Sequence, residues 1–230
     1  MLIGLTGKAG SGKDTVAGML QKINPNLEVY ALASSIYEIA ERWLGLTEAY
    51  AHRDIKESTI AIVIDDTFNS LDLIIWDMFK DKHCDITYES VKKCAKAIIT
   101  TLTKDSVTQI ADNHYLVTSF RKILQTIGTE GFRDNVSETF WLDIAPSTNI
   151  IISDIRFPNE ASWVKAFHGY LINVHRQDME FIPESEHSSE SGVGDVEFWD
   201  FIDNDGSLED LKLEVKETYN VILEDFDAKN

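Results

Sequence analysis

The sequence predicts an α/β fold, a parallel sheet sandwiched by helices, and three observations carry that prediction. Leu2 to Thr6 (LIGLT) is a short apolar run of the kind that forms a strand buried on both faces. It runs into a glycine-rich stretch, GKAGSGKDT (7–15), after which Val16, Leu20 and Ile23 recur at helical spacing until Asn24-Pro25 stops the pattern. Later in the chain, apolar strand-like runs again alternate with helical ones, and that alternation implies parallel strands covered on both sides.

The elements follow in order. Leu27 to Leu32 reads as a second strand. Ser35 with Glu38 has the spacing of a capping box ahead of Ile36, Ile39, Ala40 and Trp43, and Gly45 is the expected stop. From about 47 to 106 the periodicity is weak, with a helical pattern over Tyr88 to Leu102 whose Lys92, Lys93 and Lys96 side reads as a solvated face. Order returns at Ser119. Phe120, Ile123, Leu124 and Ile127 predict a helix ended by Gly128, and a second helix is expected over Thr139 to Ala145. Asn149 to Asp154 is an apolar strand ending in a carboxylate, Asn159 to Phe167 a helix stopped at Gly169, and Leu171 to His175 another strand. Gln177 to Asp195 is polar and reads as a lid. Phe201 to Asp203 is a short strand, Asn204-Asp205-Gly206 a turn, and Ser207 with Asp210 caps a terminal helix carrying Leu208, Leu211 and Val215.

Composition narrows the function classes. The chain has 230 residues, 21 basic against 39 acidic, and a net charge of −18. So acidic a surface repels nucleic-acid polymers and anionic membranes at long range, while a small phosphorylated molecule can bind where basic residues converge. No apolar run reaches membrane-spanning length. Cys84 and Cys94 lack metal-site spacing and read as structural thiols of a reducing compartment, so a cytoplasmic location is expected.

The chemistry starts at residues 7–15. Gly7, Gly12 and Lys13 match a phosphate-binding loop, and strand, loop, helix is the context such a loop requires. Its backbone N–H groups and the helix N-terminus form an anion cradle, to which Gly10 contributes and Lys13 adds a point charge. Asp14 replaces the hydroxyl residue that usually holds Mg²⁺ there; it can bind the metal or its waters, with Thr15 beside it, or it can only cap the helix. Asp154, at the end of its strand, is the second candidate for the metal. Arg156 projects the same way as Asp154, beyond the strand's carboxyl end, where ligands bind in open α/β sheets. Arg121, off the apolar stripe of its helix, can fork onto a phosphate, and Arg176 opens the lid segment.

Five stretches carry a resemblance. GKAGSGKDT (7–15), RKILQTIGTEGFRDNVSETFW (121–141), SDIRFPNEA (153–161), HSSESG (187–192) and NDGSLEDL (204–211), in that order, resemble the deoxynucleoside monophosphate kinases of large tailed bacteriophages. The resemblance covers roughly residues 2 to 45 and 117 to 215 and is thin between. It implies the P-loop kinase fold, as a single domain over 1–230 with a helical substrate-binding insertion at about 47–117 and a lid at about 177–195. It implies transfer of the ATP γ-phosphoryl group to the 5′-phosphate of a deoxynucleotide, in the host cytoplasm if the chain is of phage origin.

By the same resemblance, the ATP loop falls on Gly12, Lys13, Asp14 and Thr15. Substrate contacts fall on Arg121, Gly128, Thr129, Trp141, Asp154, Arg156, Glu160 and Ser189, with Arg53 as the mid-chain arginine. Trp141 would offer a ring face to a base or pack in the core beside Phe140, and Glu160 would accept from a base N–H. Ala9 and Gly10 stand where some members carry basic residues. A small-molecule kinase resembling dephospho-coenzyme A kinase, and a nucleotide-sensing module without catalysis, are the alternatives. A monomer and a homodimer both remain open.

Overall fold

In a computed structural model the described residues are 1–47, 53–66, 68–82, 86–104, 106–110, 112–146, 148–177, 193–194 and 196–229. The chain divides into two compact units, one formed by Met1–Leu32 and Ala145–Asn230, the other by Ala33–Ile144.

The first unit is built on a five-stranded, wholly parallel sheet. Its strands are β1 (Leu2–Thr6), β2 (Glu28–Tyr30), and, numbered past three strands of the other unit, β6 (Ile150–Ile152), β7 (Tyr170–His175) and β8 (Asp200–Asp203). Their order is β2-β6-β1-β7-β8. Register places Ile3 between Ile151 and Tyr170, so β1 is the central strand. Every residue of β1 and β6 is buried, which explains their unbroken apolar sequences.

The strand alternation sends Ile3 and Leu5 to one face. There they meet Val16, Ala17 and Leu20 of helix α1 (Lys13–Ile23) and Leu211, Val215, Tyr219 and Ile222 of the terminal helix α9 (Leu208–Lys229). Each fully buried valine, leucine or isoleucine among them contributes about 1.5–3 kcal/mol. The other face is covered by helix α8 (Pro158–Ala166), which comes so close to β1 that a Cβ on Gly4 would lie 2.9 Å from Val164 Cγ2. Helices thus cover both faces of the sheet, as the sequence predicts. The cap of α9 is also as expected: Ser207 N–H donates to Asp210 Oδ2 at 2.9 Å and Asp210 N–H to Ser207 Oγ at 3.3 Å. The Ser207 hydroxyl, donating to the same Asp210 oxygen at 2.7 Å, and after it the Ser207 N–H hold the Asp210 carboxyl below the usual carboxylate range. Leu208, expected on the buried stripe, is instead 56% exposed, because it is the first residue of the helix and precedes the face that packs.

The second unit holds helices α2 (Ser34–Leu44), α3 (Arg53–Lys56), α4 (Leu71–Phe79), α5 (Tyr88–Thr103), α6 (Phe120–Thr126) and α7 (Phe140–Asp143). It also contains an antiparallel sheet that the sequence reading did not anticipate, in the order β3 (Thr59–Val63), β5 (Asn113–Ser119), β4 (Val107–Ile110). Its core is aromatic: Phe79, Phe132, Phe140 and Trp141 are mutually packed, with Phe132 and Trp141 centroids 4.7 Å apart. Cys94 is buried in the same unit, and burial pushes its thiol pKa up. Lys92, Lys93 and Lys96 lie on the exposed side of α5, and Lys92 pairs with Glu89 at 2.6 Å.

Three local expectations are corrected here. The Ser35–Glu38 box does not form. Helix α2 starts at Ser34 with no side-chain cap, Ser35 is buried, and Glu38 pairs with Arg42 one turn on at 2.6 Å. The capping box of this unit is Thr87 with Ser90, each hydroxyl accepting the other's backbone N–H at 3.1 Å. Nor does Gly128 end a helix: α6 widens without a break into a π-helical segment, Ile127–Arg133. Gly128 and Gly131 are there for close packing, since a Cβ on Gly128 would lie 2.9 Å from Ile36 Cδ1 and one on Gly131 2.7 Å from Ile98 Cδ1. The helix expected over Thr139 to Ala145 is the single turn α7.

Candidate active site

The parallel sheet sends the carboxyl ends of all its strands to one edge, and four chain segments leave there. β1 is followed by the glycine loop, β6 by Asp154 and Arg156, β7 by Arg176, and β8 by Asn204. This is the edge at which open α/β sheets bind ligands. Among the residues expected to act, topology brings Lys13, Asp14, Thr15, Asp154, Arg156 and Arg176 to this one edge of the first unit.

In the loop, Gly7, Gly10 and Gly12 have φ of 138°, 86° and 101°, in the region that glycine alone enters without strain. At Gly7 the space is also taken, because a Cβ would run into the Val174 carbonyl of the adjacent strand. The loop is tight enough that Ser11 is 1% exposed, and its hydroxyl has no hydrogen-bond partner among the described residues. Lys13 folds its ammonium group back onto the loop, donating to the carbonyls of Gly7 at 2.8 Å and Lys8 at 2.9 Å. Asp14 and Thr15 are exposed in the first turn of α1, whose N-cap, Gly12, has no side chain to cap with. A negative charge at Asp14 is therefore favoured by the helix end itself.

Asp154 is half-buried beside the loop, since β6 is paired directly with β1. Its Oδ1 accepts the Leu32 N–H at 2.7 Å, which orients the carboxylate. Arg156 is exposed, and its turn is fixed from below. The Oε2 of Glu160, a residue 2% exposed, accepts the N–H of Arg156 at 2.7 Å and of Phe157 at 3.0 Å. Glu160 was expected to meet a base N–H; this oxygen meets the backbone instead. No described residue pairs with the guanidinium of Arg156 or of Arg176, although the chain carries 39 acidic side chains. Cations left unpaired among the described residues of so acidic a protein suit an anionic ligand.

The remaining candidates lie in the second unit. Arg121 opens α6 and pairs with Glu57. Thr129 is half-buried in the π-helical segment, and such segments recur at functional sites. Trp141 is 2% exposed, wrapped by Phe79, Phe132 and Phe140, and its Nε1–H donates to the Gly128 carbonyl at 3.1 Å. Of the two readings of Trp141, the structure gives core packing, because the ring face needed for stacking on a base is already covered. Arg53 begins α3, but its side chain lies outside the described residues, as do Ser189 and nearly all of the expected lid, 177–195.

The sequence missed Asn204 and Ser11 as a pair. The Asn204 amide donates to the Ser11 carbonyl at 2.8 Å, reaching the glycine loop from the far end of the chain. Its position just past a strand's carboxyl end was the available signal.

No three His, Cys, Asp or Glu side chains converge to hold a metal among the described residues. Mg²⁺ needs no such cage. It keeps several waters and takes one or two carboxylates together with phosphate oxygens, and exposed Asp14 with oriented Asp154 fits that habit. No helix among the described residues is long and apolar enough to cross a membrane.

Comparison with known proteins agrees with this geometry. A family model described as deoxynucleotide monophosphate kinase matches residues 1–215. The chain is similar to the deoxynucleoside-5′-monophosphate kinase of Escherichia phage T5, at 29% identity over 97% of this chain and 98% of that protein. It is also similar to a putative deoxynucleotide monophosphate kinase of Acanthamoeba polyphaga mimivirus, at 27% identity over 40% of this chain and 55% of that one.

Proposed function

This chain belongs to the deoxynucleotide monophosphate kinase family, and from that premise we propose how it moves the phosphoryl group. The family makes it an enzyme of phosphoryl transfer to deoxynucleoside monophosphates, which sets aside the sensing module and the coenzyme A type of acceptor. The donor we assign is ATP. The observation that carries this is the strand-borne glycine loop, with three left-handed glycines and Lys13 at its end.

In the proposed course, the loop's N–H groups and Lys13 hold the β and γ phosphates. Lys13 exchanges its two loop carbonyls for phosphate oxygens, a stronger acceptor set. An oxygen of the acceptor's 5′-phosphate forms a bond to the γ-phosphorus while the bond from that phosphorus to its bridging oxygen breaks. ADP and the deoxynucleoside diphosphate are the products. Charge spreads over the oxygens of the moving group, and Arg156 and Arg176 would meet it. Arg121 and the Gly128-Thr129 pair are retained as acceptor-binding candidates. Asp14 and Asp154 would hold Mg²⁺ or its waters, and the ion would supply charge neutralisation at the phosphates.

The test is a turnover panel of dAMP, dCMP, dGMP and dTMP, and their ribo counterparts, with Mg-ATP. Formation of ADP and a diphosphate in equal amounts from at least one deoxynucleotide is the expected result. ADP formation with no deoxynucleotide in the panel would overturn the donor or the acceptor. Lys13→Ala should lower turnover by several orders of magnitude with the fold intact, and near-normal turnover would remove the loop from the chemistry.

A further inference from the structure

We propose that Asn204 is a positioning residue for the donor loop, acting by holding one peptide plane of that loop in a single orientation; this rests on the reading of residues 7–15 as the ATP loop. The peptide in question joins Ser11 to Gly12. Its carbonyl accepts a hydrogen bond from Asn204 Nδ2 at 2.8 Å. In a planar trans peptide the carbonyl and the N–H point in opposite directions, so this bond also fixes where the Gly12 N–H points. Among the described residues the Gly12 N–H has no acceptor, which leaves it as a donor for an anion.

Glycine makes such an anchor necessary. Gly10 and Gly12 sit at φ of 86° and 101°, and glycine crosses between positive and negative φ at little cost. Without an external hold, the Ser11–Gly12 peptide can turn over and present its carbonyl oxygen to the phosphates, which would repel them. The Asn204 amide also lies close against Gly12 itself, since a Cβ there would overlap with its nitrogen.

Asn204 is itself held. Its backbone N–H donates to the His175 carbonyl at 2.8 Å, continuing the pairing of β7 with β8. The next residue, Asp205, accepts the Gln177 N–H on Oδ1 at 2.5 Å. Both bonds flank Arg176. One turn therefore sets the loop peptide on one side and the chain around Arg176 on the other.

The experiment is steady-state kinetics on Asn204→Leu, close in size but without the donor, and on Asn204→Asp, which turns an acceptor toward the Ser11 carbonyl. Each substrate is varied in turn, and a thermal melt of each variant is recorded. Loss of one hydrogen bond and of the fixed peptide should raise KM for ATP on the order of tenfold or more. KM for the deoxynucleotide should stay within about twofold, because the side-chain amide removed in these variants bonds only the donor loop, while the backbone bond of Asn204 to His175 is kept. A general loss of stability would move both constants or neither. Lys13→Ala is measured in parallel. If Lys13→Ala abolishes turnover while both Asn204 variants keep a normal KM for ATP, the positioning role is overturned and the ATP loop stands. If Lys13→Ala turns over normally, the ATP-loop reading fails, and this inference with it. Should Asn204→Leu melt early, Asn204→Asp, nearly identical in shape, decides by the same split.

Discussion

Trp141 Nε1–H donates to the backbone carbonyl of Gly128 at 3.1 Å, from inside a cluster of three phenylalanine rings. The indole thus ties the single-turn helix α7 to the π-helical segment that carries Thr129. Trp141→Phe keeps most of the ring packing but removes the indole's hydrogen bond to the Gly128 carbonyl, which should cost about 0.5–1.5 kcal/mol of stability. Trp141→Ala should cost about 3–5 kcal/mol. Urea unfolding measures both. A Trp141→Phe protein of unchanged stability but raised KM for the deoxynucleotide would return the ring to base stacking.

Glu160 should behave as the support of Arg156. Glu160→Ala leaves two backbone N–H groups, those of Arg156 and Phe157, without their carboxylate. We expect a stability loss of about 1–3 kcal/mol together with a raised KM for the acceptor. Glu160→Gln retains an acceptor oxygen and should fall between wild type and alanine on both measures. Loss of activity in Glu160→Gln as complete as in Arg156→Ala, at wild-type stability, would point to direct substrate contact instead.

Asp14 separates metal binding from helix capping. It is exposed in the first turn of α1. If it serves Mg²⁺, Asp14→Asn should raise the Mg²⁺ concentration needed for half-maximal rate, and Asp14→Ser should recover part of the activity. Asparagine at a helix start keeps the local polar character, so a titration curve that does not move would leave Asp14 as a helix-end charge only.

Tyr170 gives a signature in the pH dependence of stability. Burial, and then its hydrogen bond to Asp225 Oδ2 at 2.9 Å, push the phenol from 10.0 up to about 12. The folded state therefore keeps its phenolic proton where the unfolded chain has lost it. The stabilisation is whole below the unfolded value and declines as pH rises through the folded one, from 10.0 to about 12. Unfolding free energy of the wild type should fall relative to Tyr170→Phe across that window. Parallel curves for the two proteins would show that the phenol contributes nothing there.

Much of the first unit was legible in the sequence because its signals are local. A strand buried on both faces must be apolar without interruption, so Leu2 to Leu5 and Ile150 to Ile152 announce themselves. A loop that cradles phosphate needs glycine at its left-handed positions, and Gly7, Gly10 and Gly12 stand there. Once the strands are parallel, topology alone takes Lys13, Asp154, Arg156 and Arg176 to a common edge. The second unit was less legible. Its strands are short and half exposed, β3 alternating between exposed and intermediate along TIAIV, and such runs resemble loops in a one-dimensional reading.

What only the tertiary structure decided is where each polar or aromatic group finds its partner. A sequence shows that Trp141 has a ring and Glu160 a carboxylate. Whether the ring faces a ligand or Phe132, and whether the carboxylate meets a base or the N–H of Arg156, depends on neighbours brought up by folding. The same holds for Gly128, which reads as a helix stop because glycine tolerates positive φ, but sits here inside a helical segment packed closely against Ile36. Asn204 is the extreme case, a turn residue by composition and the clamp of Ser11 by contact. The physical reason is range. Backbone preference and hydrophobic period act over a few residues and can be read along the chain, whereas hydrogen-bond partners and close packing join residues far apart in it.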